Sequence, residues 1–260
     1  MGRRALIGYT GFVGGNLMQQ IEFSDLYNSK NIEEIQNQEF DFIACAGAPA
    51  AMWIANANPE EDLANIQKLI NALSAVKAKF FVLLSTVAVY PEPNGVTEDV
   101  VPDMSKATAY GRNRRLLETF VEEHFSSHLI LRLPGLFGSG LKKNAIYDLI
   151  HNNQVEKVDS RATYQFYNLA NLSRDIERSR AAGISTLNVA VEPTSISEVA
   201  KQCFGRAFEN QVVDRPAYYD FHSKYGSAWG ESGAYLYSKQ VVFQELKEFV
   251  ASEAQRLSVA

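Results

Sequence analysis

Residues 5–14 read ALIGYTGFVG, and this stretch decides the fold. The apolar run at 5–9 reaches glycine almost at once, and apolar residues then recur at 13, 17, 18 and 21, which is the helical period. The stretch therefore predicts a buried strand, a tight turn and a helix. In that turn Gly8, Gly11 and Gly14 stand three residues apart. Glycine there lets backbone N–H groups approach a pyrophosphate at a helix N-terminus.

A glycine pattern alone has other interpretations. An ordinary turn extended by Gly15 would fit the same residues. A methyltransferase, which also uses such a turn, usually ends its second strand on an acidic residue, and residues 26–30 (LYNSK) contain none. The place of the turn after the very first strand favours a dinucleotide site.

The first half of the chain alternates strands with helices. Buried strands are predicted at 41–47, 79–85 and 128–133, and helices at 62–76 and 109–123. This alternation predicts an α/β fold with a doubly wound parallel sheet, Rossmann-like. We expect residues 1–138 with parts of 166–205 to form the dinucleotide-binding domain, and 238–260 a C-terminal helix. Residues 139–165 and 206–237, where aromatic residues concentrate, would form a small irregular substrate-binding cap.

Beyond residue 138 the predicted elements are shorter. We expect helices near 144–151 and 172–182 and strands near 165–169 and 186–191. Ser195 and Glu198 have the spacing of a capping box at the start of a further helix.

Composition excludes several classes of function. The 260 residues are 46% hydrophobic and 21% charged, an ordinary globular mixture, and the net charge of −5 would repel a nucleic-acid backbone. No run approaches the roughly 20 apolar residues of a membrane helix. Cys45 and Cys203 are too far apart for a disulfide framework or a zinc site, which suits a reducing cytoplasm. His124, His128 and His151 lack metal-ligand spacing with any acidic partner, so we expect no metal.

Three further motifs indicate a family. Residues 81–90 read FVLLSTVAVY, residues 110–114 read YGRNR, and residues 132–138 read RLPGLFG. With the glycine turn, they resemble the extended short-chain dehydrogenase/reductase family, also called NAD-dependent epimerases and dehydratases. That family has a strand ending S-[ST]-x-x-V-Y, then Y-G-x-x-K, then R-x-x-x-h-x-G-P. The resemblance covers most of residues 4–205 and implies a hydride-transfer enzyme that acts on a nucleotide sugar or a similar keto compound.

The resemblance implies catalytic roles for Thr86, Tyr110 and Arg114. Tyr110 would give or take the hydroxyl proton, and a phenol with an ordinary pKa near 10 needs a nearby positive charge to do so at neutral pH. The family supplies it with a lysine, whereas this chain has Arg114, one helical turn after Tyr110. Thr86 would hold the substrate oxygen, with Ser85 as a neighbouring alternative.

The resemblance also distinguishes between reactions. Sugar-nucleotide dehydratases follow the strand hydroxyl with an Asp-Glu pair, and this chain has Val87 and Ala88 there. Dehydration is therefore disfavoured, whereas reduction and epimerisation stay open. Because the lysine is missing, a second interpretation is an NAD(P)-binding sensor or scaffold without catalysis.

The cofactor expected from the resemblance is NAD(P). Asn28, Ser29 and Lys30 follow the predicted second strand and offer a hydroxyl and a cation in place of a ribose-binding acid, which favours NADP, although Lys30 as a solvated charge fits equally. Only one short strand fits between Gly14 and Asp41, so the adenine pocket is expected to be trimmed. The expected cofactor-binding residues are Gly8, Thr10, Gly11, Phe12, Val13, Gly14, Asn28, Ser29, Lys30, Ala46, Gly47, Ala48, Asn65, Ser85, Tyr110, Arg114, Leu133, Pro134, Gly135 and Leu136.

Substrate binding is expected at Thr86 and at Lys142, Lys143 and Asn144, which follow the third motif and could meet a nucleotide diphosphate. Solvated lysines explain the same residues. The family's dimers often pair through two helices, here 62–76 and 109–123, so a homodimer is a further expectation.

Overall fold

The computed structural model describes residues 2–231 and 233–259. In that part of the chain the strands are β1 (Arg4–Ile7), β2 (Asp25–Tyr27), β3 (Glu39–Phe40), β4 (Phe42–Cys45), β5 (Lys77–Ala78), β6 (Phe81–Thr86), β7 (His128–Leu133), β8 (Gly135–Phe137), β9 (Thr163–Tyr164), β10 (Phe166–Asn168), β11 (Thr186–Asn188) and β12 (Thr194–Ser195). The helices are α1 (Phe12–Met18), α2 (Met52–Ala57), α3 (Pro59–Leu73), α4 (Ala109–His124), α5 (Ala145–His151), α6 (Leu172–Ala181), α7 (Ile196–Phe204) and α8 (Lys239–Val259).

The central sheet is parallel and ordered β11-β7-β6-β4-β1-β2. This order confirms the predicted doubly wound α/β fold. The winding direction reverses between β1 and β4, so the carboxyl ends of these two strands flank the switch point at which such sheets bind ligands. The sheet stops at β2, since β3 pairs with β5 in a separate ladder. One strand of the central sheet, β2, lies between Gly14 and Asp41, as the spacing predicts, but the two-residue strand β3, which was not predicted, lies there as well.

Both faces of the sheet are buried, as a parallel sheet requires. On one face Ile7, Ile43 and Leu83 pack with Leu69 of α3 and Leu117 of α4 in one apolar cluster. The alternate residues of the same strands, Leu6, Ala44 and Val82, are equally buried, and α1 and α6 contact β1 and β7. Helix α4, which carries the motif at residues 110–114, is thus held directly against the sheet.

The structure differs from the predicted elements mainly at boundaries. Helix α3 begins at Pro59 rather than at 62, since proline is well suited to the first helical position. Helix α2 was not predicted, because six residues carry too little periodicity. The predicted strand at 186–191 ends at Asn188 as β11. The capping box of Ser195 and Glu198 is present, with Ser195 Oγ accepting from the Glu198 N–H.

The described chain divides into two compact units. The first contains the chain through Pro93, Glu98–Leu133 and Ala170–Asn188. The second contains Asn94–Thr97, Pro134–Leu169 and the chain from Val189 onward. The first unit holds the whole central sheet, and the second holds the β8–β10 and β9–β12 ladders. A search of the described helices finds none with the length and apolar character needed to span a bilayer.

Candidate active site

The glycine turn connects β1 to α1 at the switch point. Gly8 has φ +86°, and a Cβ on it would lie 2.4 Å from the Ala46 carbonyl oxygen. A Cβ on Gly14 would lie 2.2 Å from the Gly8 carbonyl oxygen. These two glycines are therefore required by the protein's own backbone packing. Gly11 differs, because it is exposed and an added Cβ would approach only the Gly8 oxygen, at 3.3 Å. A ligand could therefore approach the backbone at Gly11 closely.

The neighbouring predicted cofactor residues surround this turn. Thr10 is exposed, and Phe12 and Val13 are half-buried in the first turn of α1. At the end of β4, Ala46 and Ala48 are half-buried and Gly47 is exposed. The carboxyl ends of β1 and β4 thus present small, accessible residues on both sides of the switch point.

The end of β2 is organised by Asn28. Its Oδ1 accepts from the Lys30 N–H at 2.9 Å, and its Nδ2 donates to the Tyr9 hydroxyl of the glycine turn at 3.1 Å. This Asx turn leaves the side chains of Ser29 and Lys30 exposed. Asn28 therefore links the strand end to the glycine turn, while a hydroxyl and a cation stay accessible beside it.

Tyr110 lies in the first turn of α4. Thr108 caps this helix by accepting from the Gly111 N–H, and the Tyr110 N–H donates to Asn56 of α2 at 3.0 Å. A Cβ on Gly111 would lie 2.5 Å from the Ala88 carbonyl oxygen, so the start of α4 packs tightly on the turn that follows β6. The Tyr110 ring is buried, and within the described residues its hydroxyl has no hydrogen-bond partner.

The two hydroxyls at the end of β6 have different surroundings. Ser85 Oγ donates to Glu118 Oε1 at 2.6 Å and is therefore committed to a buried carboxylate. Thr86 Oγ1 accepts from the Ala88 N–H at 3.2 Å, which leaves its proton without an acceptor among the described residues. Thr86 is half-buried. Of the two, Thr86 has the hydroxyl that can donate to a ligand oxygen.

Arg114 is almost fully buried and is paired with Asp62 of α3. Its Nη1 donates to Asp62 Oδ2 at 2.8 Å and its Nη2 to Oδ1 at 2.9 Å. Nη2 also donates to the Pro49 carbonyl oxygen. The guanidinium carbon lies 4.2 Å from the centroid of the Tyr110 ring. Nε is buried and is the one guanidinium nitrogen without a hydrogen-bond partner within the described residues.

Asp62 is held ionised by this arrangement. Burial opposes the charge, but hydrogen bonds from Arg114 and Asn113, together with the charge of Arg114, hold the pKa of the Asp62 carboxyl below its ordinary value. Sequence analysis missed this residue. A signal existed, since Asp62 stands at helical spacing from Ile66 and Leu69 and so belongs to the buried face of α3.

A second buried ion pair lies one turn further along α4. Glu118 accepts from Arg132 of β7 at 2.7 Å and from Arg115, in addition to Ser85. Arg132 Nη1 donates to the Tyr90 hydroxyl at 2.5 Å. Burial raises the pKa of Tyr90, and the nearby Arg132 only partly offsets this. The network ties β6, β7 and α4 together beneath the predicted catalytic residues, and sequence analysis did not anticipate it.

The remaining predicted cofactor residues lie on other elements. Asn65 is exposed on α3, and Leu133 is the buried last residue of β7. Pro134, Gly135 and Leu136 belong to the second unit, where Gly135 and Leu136 form part of β8.

The predicted substrate residues also belong to the second unit. Lys142 and Lys143 are exposed. Asn144 caps α5, since its Oδ1 accepts from the Ile146 and Tyr147 N–H groups and its Nδ2 donates to the Leu136 carbonyl oxygen at 2.9 Å. Its side chain is thus occupied in holding the loop.

Comparison with known proteins places this geometry in context. A model of the NAD dependent epimerase/dehydratase family matches residues 16–175. A search of curated protein sequences found no match. The fold is similar to that of dTDP-4-dehydrorhamnose reductase from Bacillus anthracis in complex with NADP, at 19% identity, a TM-score of 0.73, and 97% and 99% coverage of this chain and that one.

Two further solved structures are similar. One is a dTDP-4-dehydrorhamnose reductase from Clostridium acetobutylicum, with 15% identity, a TM-score of 0.71, and 96% of this chain and 98% of that chain covered. The other is a variant of UDP-glucuronic acid 4-epimerase from Bacillus cereus, in complex with UDP-4-deoxy-4-fluoro-glucuronic acid and NAD, with 16% identity, a TM-score of 0.69, and 98% and 99% covered. At these identities the likeness shows a shared fold alone.

Proposed function

Because the chain belongs to the NAD-dependent epimerase/dehydratase family, we propose that it is an NAD(P)-dependent oxidoreductase or epimerase. It would act by hydride transfer on a keto or hydroxyl group of a nucleotide sugar or a similar small molecule. The solved structures with this fold include reductases and an epimerase, two of them with NADP or NAD bound. Both reaction types use the same hydride and proton steps, so both belong to the proposal.

The residues at the switch point fit a dinucleotide. Gly11 keeps a surface free that a Cβ would fill, at the end of the sheet where doubly wound folds bind nucleotides. The exposed Ser29 and Lys30 lie at the end of β2 and offer a hydroxyl and a cation where the ribose-binding acid of NAD enzymes would stand, which favours NADP. When bound, the nicotinamide supplies the hydride-donating or hydride-accepting carbon that side chains lack.

The observation that carries the proposal is the buried Nε of Arg114. A buried donor without an acceptor is costly, and this one belongs to a guanidinium stacked on the ring of Tyr110. A bound ligand with an oxygen atom at this point would satisfy it. Arg114 and Gly11 are therefore the residues we assign to holding the cofactor in this unit.

We assign the proton transfer to Tyr110 and the orientation of the substrate oxygen to Thr86. The Tyr110 hydroxyl has no hydrogen-bond partner within the described residues, so it is available to give or take a proton. The Thr86 hydroxyl can donate to a carbonyl oxygen, because it only accepts from Ala88 within the protein. Val87 and Ala88 provide no acid or base for eliminating water, so dehydration is not part of the proposal.

A second candidate is a dinucleotide-binding sensor or scaffold. It is favoured by the pairing of Arg114 with Asp62, since an ion-paired guanidinium supplies less net positive charge to Tyr110 than a free lysine would. The two candidates share the cofactor and differ in whether Tyr110 does chemistry.

The test is a fluorescence titration with NADPH and NADH, followed by turnover assays on a panel of 4-keto nucleotide sugars. We expect micromolar binding of at least one dinucleotide. Tyr110→Phe should retain that binding and lose turnover, because only the phenolic hydroxyl group is removed. Binding in the wild type without any turnover would favour the sensor. Failure of both dinucleotides to bind at millimolar concentration would refute both candidates.

A further inference from the structure

We infer that Asp62 is a positioning residue that turns Arg114 so that its Nε, and not its terminal nitrogens, faces the ligand beside Tyr110. This inference rests on the proposed function, because the ligand in question is the proposed dinucleotide. Asp62 itself lies in α3 and reaches the site only through the guanidinium.

Asp62 sets the direction of the Arg114 guanidinium. Asp62 takes both terminal nitrogens, at 2.8 and 2.9 Å, and Pro49 takes a second bond from Nη2. The carboxylate is itself fixed by Asn113 Nδ2, which donates to Oδ2 at 2.8 Å. A two-point contact of this kind determines the plane of the guanidinium as well as its position.

This arrangement leaves the Nε of Arg114 without a partner in the part of the chain that the structure describes. Nε is buried and unpartnered within the described residues, and the guanidinium carbon is 4.2 Å from the Tyr110 ring centroid. Each terminal nitrogen already donates to Asp62, so Nε is the one guanidinium nitrogen that makes no hydrogen bond within the described residues. An unconstrained arginine would instead offer its more mobile terminal nitrogens.

The charge of the pair also favours one kind of ligand. The side chains of Arg114 and Asp62 are only 3% and 4% exposed, so their opposite charges compensate each other within the core. The pair therefore acts as an oriented donor with little net charge. Such a donor suits a neutral oxygen, such as a hydroxyl of the dinucleotide, better than a phosphate.

The test compares Asp62→Asn and Asp62→Glu with the wild type. Asp62→Asn removes the two-point contact, and Asp62→Glu retains the charge but displaces the guanidinium by the length of one methylene. The matched control is Asp159→Asn, which removes a carboxylate paired with Arg161 in the second unit. Folding of each variant is verified by circular dichroism and urea unfolding.

Two dissociation constants distinguish a positioning role of Asp62 from a general disturbance of the binding site. The first is for NADPH, measured by cofactor fluorescence. The second is for 2′-phospho-ADP, which lacks both the nicotinamide and the ribose attached to it, measured by calorimetry. Asp62→Asn and Asp62→Glu should weaken NADPH binding by about tenfold or more, the loss expected for one hydrogen bond to a charged group. Binding of the fragment should be unchanged in both variants, and Asp159→Asn should leave both constants unchanged.

The outcomes distinguish this inference from the proposed function. If the wild type binds NADPH and both Asp62 variants bind it equally well, the positioning role is wrong and the proposed function stands. If the variants lose the fragment and NADPH in equal proportion, Asp62 is only structural. If the wild type binds neither molecule, the proposed function fails first. Should Asp62→Asn not fold, Asp62→Glu decides by the same criteria.

Discussion

Replacing Gly11 by alanine tests whether the glycine turn binds a dinucleotide, because the protein should still fold. Gly11 has φ −83°, which any residue can adopt, and the new Cβ would lie 3.3 Å from the Gly8 carbonyl oxygen, its nearest neighbour. Because Gly11 precedes α1 as its N-cap, and alanine is a poorer cap than glycine, we expect a loss of about 1 kcal/mol or less in the free energy of unfolding. The folded protein therefore remains available for the binding assay.

The expected effect of Gly11→Ala on NADPH binding is larger than its effect on stability. The methyl group occupies the exposed surface over which a pyrophosphate would lie, and overpacking of a close contact costs about 1–3 kcal/mol. At 1.4 kcal/mol per tenfold, this corresponds to about 5- to 150-fold in the dissociation constant for NADPH.

Two neighbouring glycines provide matched controls. A Cβ on Gly15 would meet only the Tyr9 carbonyl oxygen, at 3.7 Å, so Gly15→Ala should stabilise the helix by about 0.5–1 kcal/mol and leave NADPH binding unchanged. Gly14→Ala would place its Cβ 2.2 Å from the Gly8 oxygen and should destabilise the fold by about 3 kcal/mol or more. The measurements are urea unfolding and NADPH fluorescence titration. The reasoning is refuted if Gly11→Ala binds NADPH like the wild type, or if Gly15→Ala weakens binding as much as Gly11→Ala.

Three other predictions concern charge. The pKa of Asp62 is lowered in the folded protein, so its stabilising contribution is present above the unfolded pKa of about 3.9 and is lost as the pH falls through the lower folded value. The difference in unfolding free energy between wild type and Asp62→Asn should therefore be constant from about pH 5 to 8 and shrink below about pH 4. A difference that stays constant down to acid unfolding would contradict this prediction. Glu118→Gln should lower the free energy of unfolding, measured in urea, by about 3–5 kcal/mol, because it leaves the buried charge of Arg132 uncompensated. A loss under about 1 kcal/mol would show that the ion pair is dispensable. Lys30→Glu should raise the dissociation constant for NADPH about tenfold and leave that for NADH nearly unchanged, and equal effects on both would remove Lys30 from 2′-phosphate recognition.

Local patterns in the sequence were sufficient for the framework of the first unit. The run from 5 to 14 predicts β1, the turn and α1, and the predicted strand at 128–133 coincides with β7. These elements follow from periodicity and glycine placement, which depend on neighbours a few residues away. The spacing between Gly14 and Asp41 also predicted that the central sheet gains one strand, β2, in this interval, whereas the short strand β3, which pairs outside that sheet, was not predicted.

Contacts between distant residues were decided only by the tertiary structure. Asp62 and Arg114 are 52 residues apart in the chain, and nothing local to either predicts that they share a buried contact or that Nε is left without a partner. The commitment of Ser85 to Glu118, and of Asn144 to its own helix cap, is of the same kind.

The sequence thus determined which residue types stand at the ends of the strands, and hence the family and the candidate residues Thr86, Tyr110 and Arg114. The tertiary structure decided which of their hydrogen-bonding groups remain free. The physical reason is that secondary structure is specified by short-range periodicity, whereas the pairing of buried charges depends on which helix faces meet when α3 and α4 pack on one sheet.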